Sequence, residues 1–113
     1  MASTLTKYKL VFFVPPPALA ACKAAIFAAG AGRFPGTAGY TECCFTSSGT
    51  GQFRPGNGAN PHIGVVGQLE MVDEYRVEAI CLGREIMIKA VEALKEAHPY
   101  EEPAYEVYKL EDA

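Results

Sequence analysis

Two stretches of the 113-residue chain hold side chains able to do chemistry. The first is "AHPYEEPAY" near the C-terminus, where His98, Glu101 and Glu102 offer one imidazole and two carboxylates. His98 with Glu101 would make part of a site for a divalent metal ion. One histidine with one or two acids is too few to close a tetrahedral shell without solvent or a neighbouring subunit. The competing use is structural: Pro99 and Pro103 fix backbone angles, Tyr100 packs, and His98 caps carbonyls at a helix end. Adjacent glutamates in a turn need not face one another, so general acid–base work is the weaker use.

The second stretch, "SGTGQFRPGNGANPHIGVVG" at 48–67, holds six of the eleven glycines and both asparagines. Arg54, Asn57, Asn60 and His62, with Thr50 and Gln52, add donors and acceptors to a backbone rich in open N–H groups, a combination that suits an anion or nucleotide. No Lys-Ser/Thr follows the glycines, so it is not a P-loop. The alternative is an ordered Ω-type loop held by Phe53 and its prolines, or packed on another subunit. No residue is assigned a catalytic role. An enzyme would need an active site between subunits, built from Arg54, His62 or His98, with Cys44 as nucleophile.

The four thiols, Cys22, Cys43, Cys44 and Cys81, contain no C-x-x-C. Cys43 and Cys44 fall in a strand-like run, where neighbours point to opposite faces and cannot easily share an ion. They read as small buried hydrophobes in a reducing, cytoplasmic setting. Net charge is −3 with no Lys/Arg cluster, which argues against nucleic acid as a partner. Prolines, a lysine and glycines break the apolar stretches, so no membrane span is expected, and the apolar run 10–14 before "PPP" is too short for a leader.

The elements that must position these residues follow from periodicity. Residues 7–14, "KYKLVFFV", read as a strand apolar on both faces and therefore central. Residues 18–29 read as an alanine-rich helix with Leu19, Cys22, Ile26 and Ala29 inward and Gly30 as C-cap. Residues 40–47 read as the second strand, 48–67 as a long loop, and 71–81 as a third strand of clean alternation. Residues 84–97 form the second helix, stopped by His98-Pro99, and 104–110 the last strand.

The expected fold is α+β: a ferredoxin-like β-α-β-β-α-β domain over about 7–110, with a four-stranded antiparallel sheet and two helices on one face. Strands one and three sit centrally. The uncovered face would carry Lys9, Val11, Phe13, Glu74, Arg76, Glu78 and Ile80, with the charged row ion-paired to Lys7 or Lys9 across strands. Its apolar part needs cover, and joining copies of the chain is the economical way to supply it.

The segments "SSGTGQFRPGNGANPHIGVVGQLEMVDEYRVEAIC" and "EALKEAHPYEEPAYEVY" resemble the YqfO-type inserted domain of the NIF-three-like family, over about 8–110. The tail "HPYEEPAY" is similar to the "HPYE" segment of CutA proteins. The resemblance implies a PII/CutA-like fold, trimeric assembly as in CutA, ligand clefts between subunits near the strand-two to strand-three connection, and an association with divalent metals. The dinuclear metal site of full-length NIF-three-like proteins lies in flanking segments without counterpart here. The resemblance therefore implies a stand-alone copy of an accessory module: a non-enzymatic oligomer that binds a small ligand or a metal.

Overall fold

The computed structural model describes residues 5–113, so the first four residues of the leader-like stretch lie outside it. The chain runs β1 (Lys7–Val14), a 3-10 turn (Pro16–Ala18), α1 (Leu19–Ala28), β2 (Phe45–Phe53), β3 (Glu70–Leu82), α2 (Arg84–Ala97) and β4 (Tyr105–Lys109). One antiparallel sheet has the order β2-β3-β1-β4. This is the ferredoxin-like arrangement expected, with β1 and β3 in the middle.

β1 is central because every residue of it pairs with β3, Lys7↔Leu82 through Val14↔Tyr75, while residues 8–12 also pair with β4. Its Leu10, Phe12 and Val14 meet Val77, Ala79 and Cys81 of β3 on one sheet face. Cys22 and Ile26 of α1 and Ala90 and Leu94 of α2 close that layer. The prolines open the first helix where no donor N–H is needed. Gly30 ends it at φ +108°, with Ile86 of α2 close against its Cα. Glu85 and Lys89 pair at 3.2 Å on the exposed side of α2, worth about 0.2–0.5 kcal/mol.

The structure corrects the second strand. Residues 40–44 are irregular, and the strand occupies Phe45–Phe53, taking in the first six residues of what composition marks as loop. Gly49 and Gly51 are poor strand formers on their own. They are held extended because β3 is 13 residues long and offers a continuous ladder, from Phe45↔Glu78 to Phe53↔Glu70. The connector ahead of β2 joins the edge of β3 through Gly32, whose N–H donates to Ile80 O at 2.8 Å.

Because β1 stops at Tyr75 of β3, the hairpin continues beyond it as a two-stranded arm. The molecule is accordingly elongated, 54 × 24 × 22 Å, with a radius of gyration of 15.5 Å. A compact chain of this length would have about 13 Å.

The uncovered sheet face also differs from expectation. Val11 is fully buried within the single chain. Its in-register neighbours are Glu78 and Glu106, and Glu78 is tied to Lys9 at 3.4 Å and Arg76 at 2.9 Å, so long charged side chains flank the valine on both sides. Phe13 and Ile80 are half-buried. Lys7 pairs with Asp112 instead, at 3.5 Å. Exposed apolar surface lies elsewhere: Phe34, Tyr40 and Phe45 around the connector, and Val65, Leu69 and Met71 near the tip of the arm.

Candidate functional site

The two chemically promising stretches meet. The loop after β2 folds back from the arm onto the turn between α2 and β4, and together they line a cavity of about 600 Å³. Gln52, Phe53, Arg54, His62 and Ile63 come from one side, Tyr100, Glu101 and Glu102 from the other, and Glu74 from β3. The volume falls within the usual span for small-molecule sites, about 300–1,000 Å³.

Each wall has a local cause. Arg54 donates from Nη1 to Gly67 O at 2.8 Å, and Gly67 N–H donates to Pro55 O at 2.8 Å, so the loop is pinned at its base. Asn60 donates its backbone N–H to Glu101 Oε1 at 2.9 Å, which ties the loop's far side to the turn. Tyr100 stands between them, its ring 6.2 Å from those of Phe53 and His62 and 4.9 Å from that of His98. Gly51 leaves the space in which Glu74 lies: a Cβ there would run into the Glu74 carboxylate.

His98 is buried, 6% exposed, beneath this wall. Its Nδ1 accepts the Tyr100 N–H at 3.1 Å, so the ring proton sits on Nε2, which donates to Phe13 O at 2.7 Å. Burial lowers its pKa below the ordinary 6.5. The Phe13 carbonyl and Glu74 oppose that shift, and His62 adds to it. The Tyr100 hydroxyl is also buried and no hydrogen bond of good geometry satisfies it. Burial and the nearby Glu74 carboxylate push its pKa up to about 12, so the phenol stays neutral.

The site residues expected from sequence therefore divide. Arg54 and His62 line the cavity; Asn57 and the Asn60 side chain do not, although the Asn60 backbone braces it. His98 and Glu101, expected as a metal pair, each have other partners in this structure: both His98 nitrogens bond backbone groups, and one Glu101 oxygen holds Asn60. Among the described residues no three His, Cys, Asp or Glu side chains are grouped to hold an ion. Glu74 lies on the sheet face that alternation assigns it, with Arg76 and Glu78, and there it also borders the cavity. Only the β2–β3 register, which sets it beside Gly49 and Gly51, reveals that.

The cavity's charge is equally informative. Three carboxylates, Glu74, Glu101 and Glu102, face one guanidinium, and that guanidinium is already bonded to Gly67. An anion would meet net repulsion, contrary to the nucleotide-type ligand suggested by glycine content. The thiols stand apart: Cys22 and Cys81 are buried, Cys43 is half-buried and Cys44 exposed, and none lines the cavity. Cys43 and Cys44 precede β2 rather than lying in it, so strand alternation does not separate them.

No protein-family model matches the chain. A GTP cyclohydrolase 1 type 2 homolog of Halalkalibacterium halodurans is 44% identical over 112 residues, covering 97% of this chain but 29% of the relative. That of Bacillus subtilis is 40% identical over 103 residues, covering 91% of this chain and 26% of the relative. The chain thus spans little more than a quarter of these relatives. The crystal structure of a Bacillus cereus protein related to NIF3 superposes with a TM-score of 0.80 at 38% identity, over 99% of this chain and 28% of that one. The periplasmic divalent cation tolerance protein CutA of Archaeoglobus fulgidus gives 0.65 at 12% identity, covering 95% of this chain and 86% of its own. Bacillus subtilis GlnK gives 0.58 at 14%, covering 93% and 85%. At those identities CutA and GlnK share the fold alone.

Proposed function

The homologues of this chain are NIF3-family proteins, matched over about a quarter of their length, and from that premise we propose a non-enzymatic module that binds a small cationic ligand in the cavity beside Tyr100. The carrying observation is that a loop and a turn 41 residues apart in sequence are bonded to each other around that cavity. Its lining, three carboxylates beside aromatic rings, suits a flat cation that stacks on Tyr100 or Phe53 and is met by acids. The cyclohydrolase in the relatives' names is not carried over, because the chain accounts for so little of their length.

Calorimetry with benzamidine, an aromatic cation, and benzoate, its anionic counterpart, tests this. Benzamidine binds with a Kd of about 1 mM or tighter, benzoate does not, and Glu102→Gln weakens benzamidine severalfold. Benzoate binding in its place would overturn the charge reading. Binding of neither would overturn the cavity as a site.

The module acts as a homo-oligomer, with a trimer the state that its resemblance to CutA implies. Phe45, Met71 and Leu69 expose apolar side chains that a second copy would cover, rather than the Val11 region that the chain already closes. Light scattering after size exclusion reads three chain masses for the native protein and one for Phe45→Asp combined with Met71→Asp. A native monomer at micromolar concentration would overturn it. Four free thiols suit a reducing, cytoplasmic setting. Among the described residues no helix is long and apolar enough to cross a membrane.

A further inference from the structure

We propose that His98 is a proton gate for the cavity: taking up a proton on Nδ1 ejects the Tyr100 N–H, and the Tyr100 wall swings away. The proposal rests on the cavity being a binding site, and supplies its regulation.

The geometry follows from the helix end. α2 stops at Ala97, and His98 turns to extended backbone, φ −73° and ψ 135°, ahead of Pro99. That bend lets the ring reach back to both its surroundings. Nε2–H donates to Phe13 O of β1, and Nδ1 accepts from Tyr100 N, two residues on. Only the neutral ring with its proton on Nε2 can make both bonds. An imidazolium has two donors and no acceptor, so Nδ1–H would point at the Tyr100 N–H. The Phe13 bond survives protonation, whereas the Tyr100 bond must break.

Tyr100 has little else to keep it in place. Its hydroxyl lies buried beside the Glu74 carboxylate without a hydrogen bond of good geometry, and its ring meets Phe53 and His62 at a tilt and His98 edge-on. Loss of the one backbone bond therefore frees the wall nearest the ligand. The charges around the ring come from every neighbouring element. Glu74 of β3 favours the imidazolium and His62 of the loop opposes it. Glu101, in the turn itself, is engaged by Asn60 N–H, and Lys95 of α2 lies over the Tyr105 ring at 5.3 Å. β1 contributes only the Phe13 carbonyl.

The sign follows from burial. His98 binds its proton less readily folded than unfolded, so the closed wall is fully present above the unfolded value near 6.5. It is lost as pH falls below that value towards the lower folded one.

The experiment reads the free chain first, so that it does not depend on any ligand. Across pH 8 to 5, the ¹⁵N resonances of His98 move from the Nε2–H tautomer to imidazolium. Over the same titration, Tyr100 amide exchange, corrected for its intrinsic pH dependence, speeds severalfold, as expected for loss of one backbone hydrogen bond. His98→Gln, which keeps a donor and an acceptor and does not titrate, flattens that profile, while His62→Gln leaves the Tyr100 step in place. Benzamidine affinity, after allowing for the probe's own charge, falls with the same midpoint.

A Tyr100 amide indifferent to pH while His98 titrates overturns the gate. So does a Tyr100 step that disappears in His62→Gln. If His98→Gln fails to fold, the wild-type titration alone still decides. Failure of benzamidine to bind at any pH refutes the cavity reading and leaves the Tyr100 measurement standing as the test of the switch.

Discussion

Phe12→Ala lowers the unfolding free energy by about 3–5 kcal/mol, the usual cost of emptying a core phenylalanine site. Phe12 is fully buried at the middle of the central strand, between Val77 on β3 and Tyr105 on β4, and in the cluster that also takes in both helices. Small domains have a net stability of about 5–15 kcal/mol, so the variant would be a marginal fold at room temperature. Urea unfolding followed by circular dichroism checks this. A loss under about 1 kcal/mol would mean that β1 is not the centre of the layer. Phe45→Ala is the contrast: that side chain is 65% exposed and its loss leaves monomer stability within about 0.5 kcal/mol.

Gly32→Val costs about 2–5 kcal/mol, from two separable sources. Gly32 has φ +81°, where a side chain costs about 1–2 kcal/mol. A Cβ there would also lie 2.8 Å from the Phe27 ring and 3.0 Å from the Cys43 backbone nitrogen, and overpacking adds about 1–3 kcal/mol. The phenyl ring can rotate aside, but the Cys43 nitrogen cannot, because its N–H donates to Gly32 O at 2.8 Å. Gly32 N–H in turn holds Ile80 O, so the substitution strains the stitch that joins the connector to β3. Gly39 supplies the control: it shares φ +81° but has nothing within 4 Å of its Cβ position. Gly39→Val therefore shows the backbone cost alone. Equal losses for the two variants would show that the crowding at Gly32 is relieved without penalty.

The chain's local patterns determined a great deal. β1 and α2 occupy the residues that periodicity marks, 7–14 and 84–97, because "KYKLVFFV" suits a strand covered on both sides and α2 carries a clear stripe ended by His98-Pro99. The alternation of 71–81 identified the buried side of β3, and from the element order came the right sheet. The ion pair from β1 to Glu78 was legible too, since alternation puts Lys9 and Glu78 on the same face.

Only the tertiary structure decided where β2 runs, what covers Val11 and what the two reactive stretches are for. Glycine and serine between 47 and 51 carry no strand signal of their own; the ladder along β3 imposes one from outside. Val11 was read as bare because alternation assigns a face and says nothing of how far neighbouring glutamate, lysine and arginine chains reach across it. His98 and Glu101 make a pair by residue type, but His98 Nδ1 accepts the Tyr100 N–H and one Glu101 oxygen accepts that of Asn60. Periodicity is a property of neighbours a few residues apart. The cavity depends on a register that sets Glu74 over Gly51 and on a bond spanning 41 residues, and distances of that kind are fixed by packing rather than by pattern.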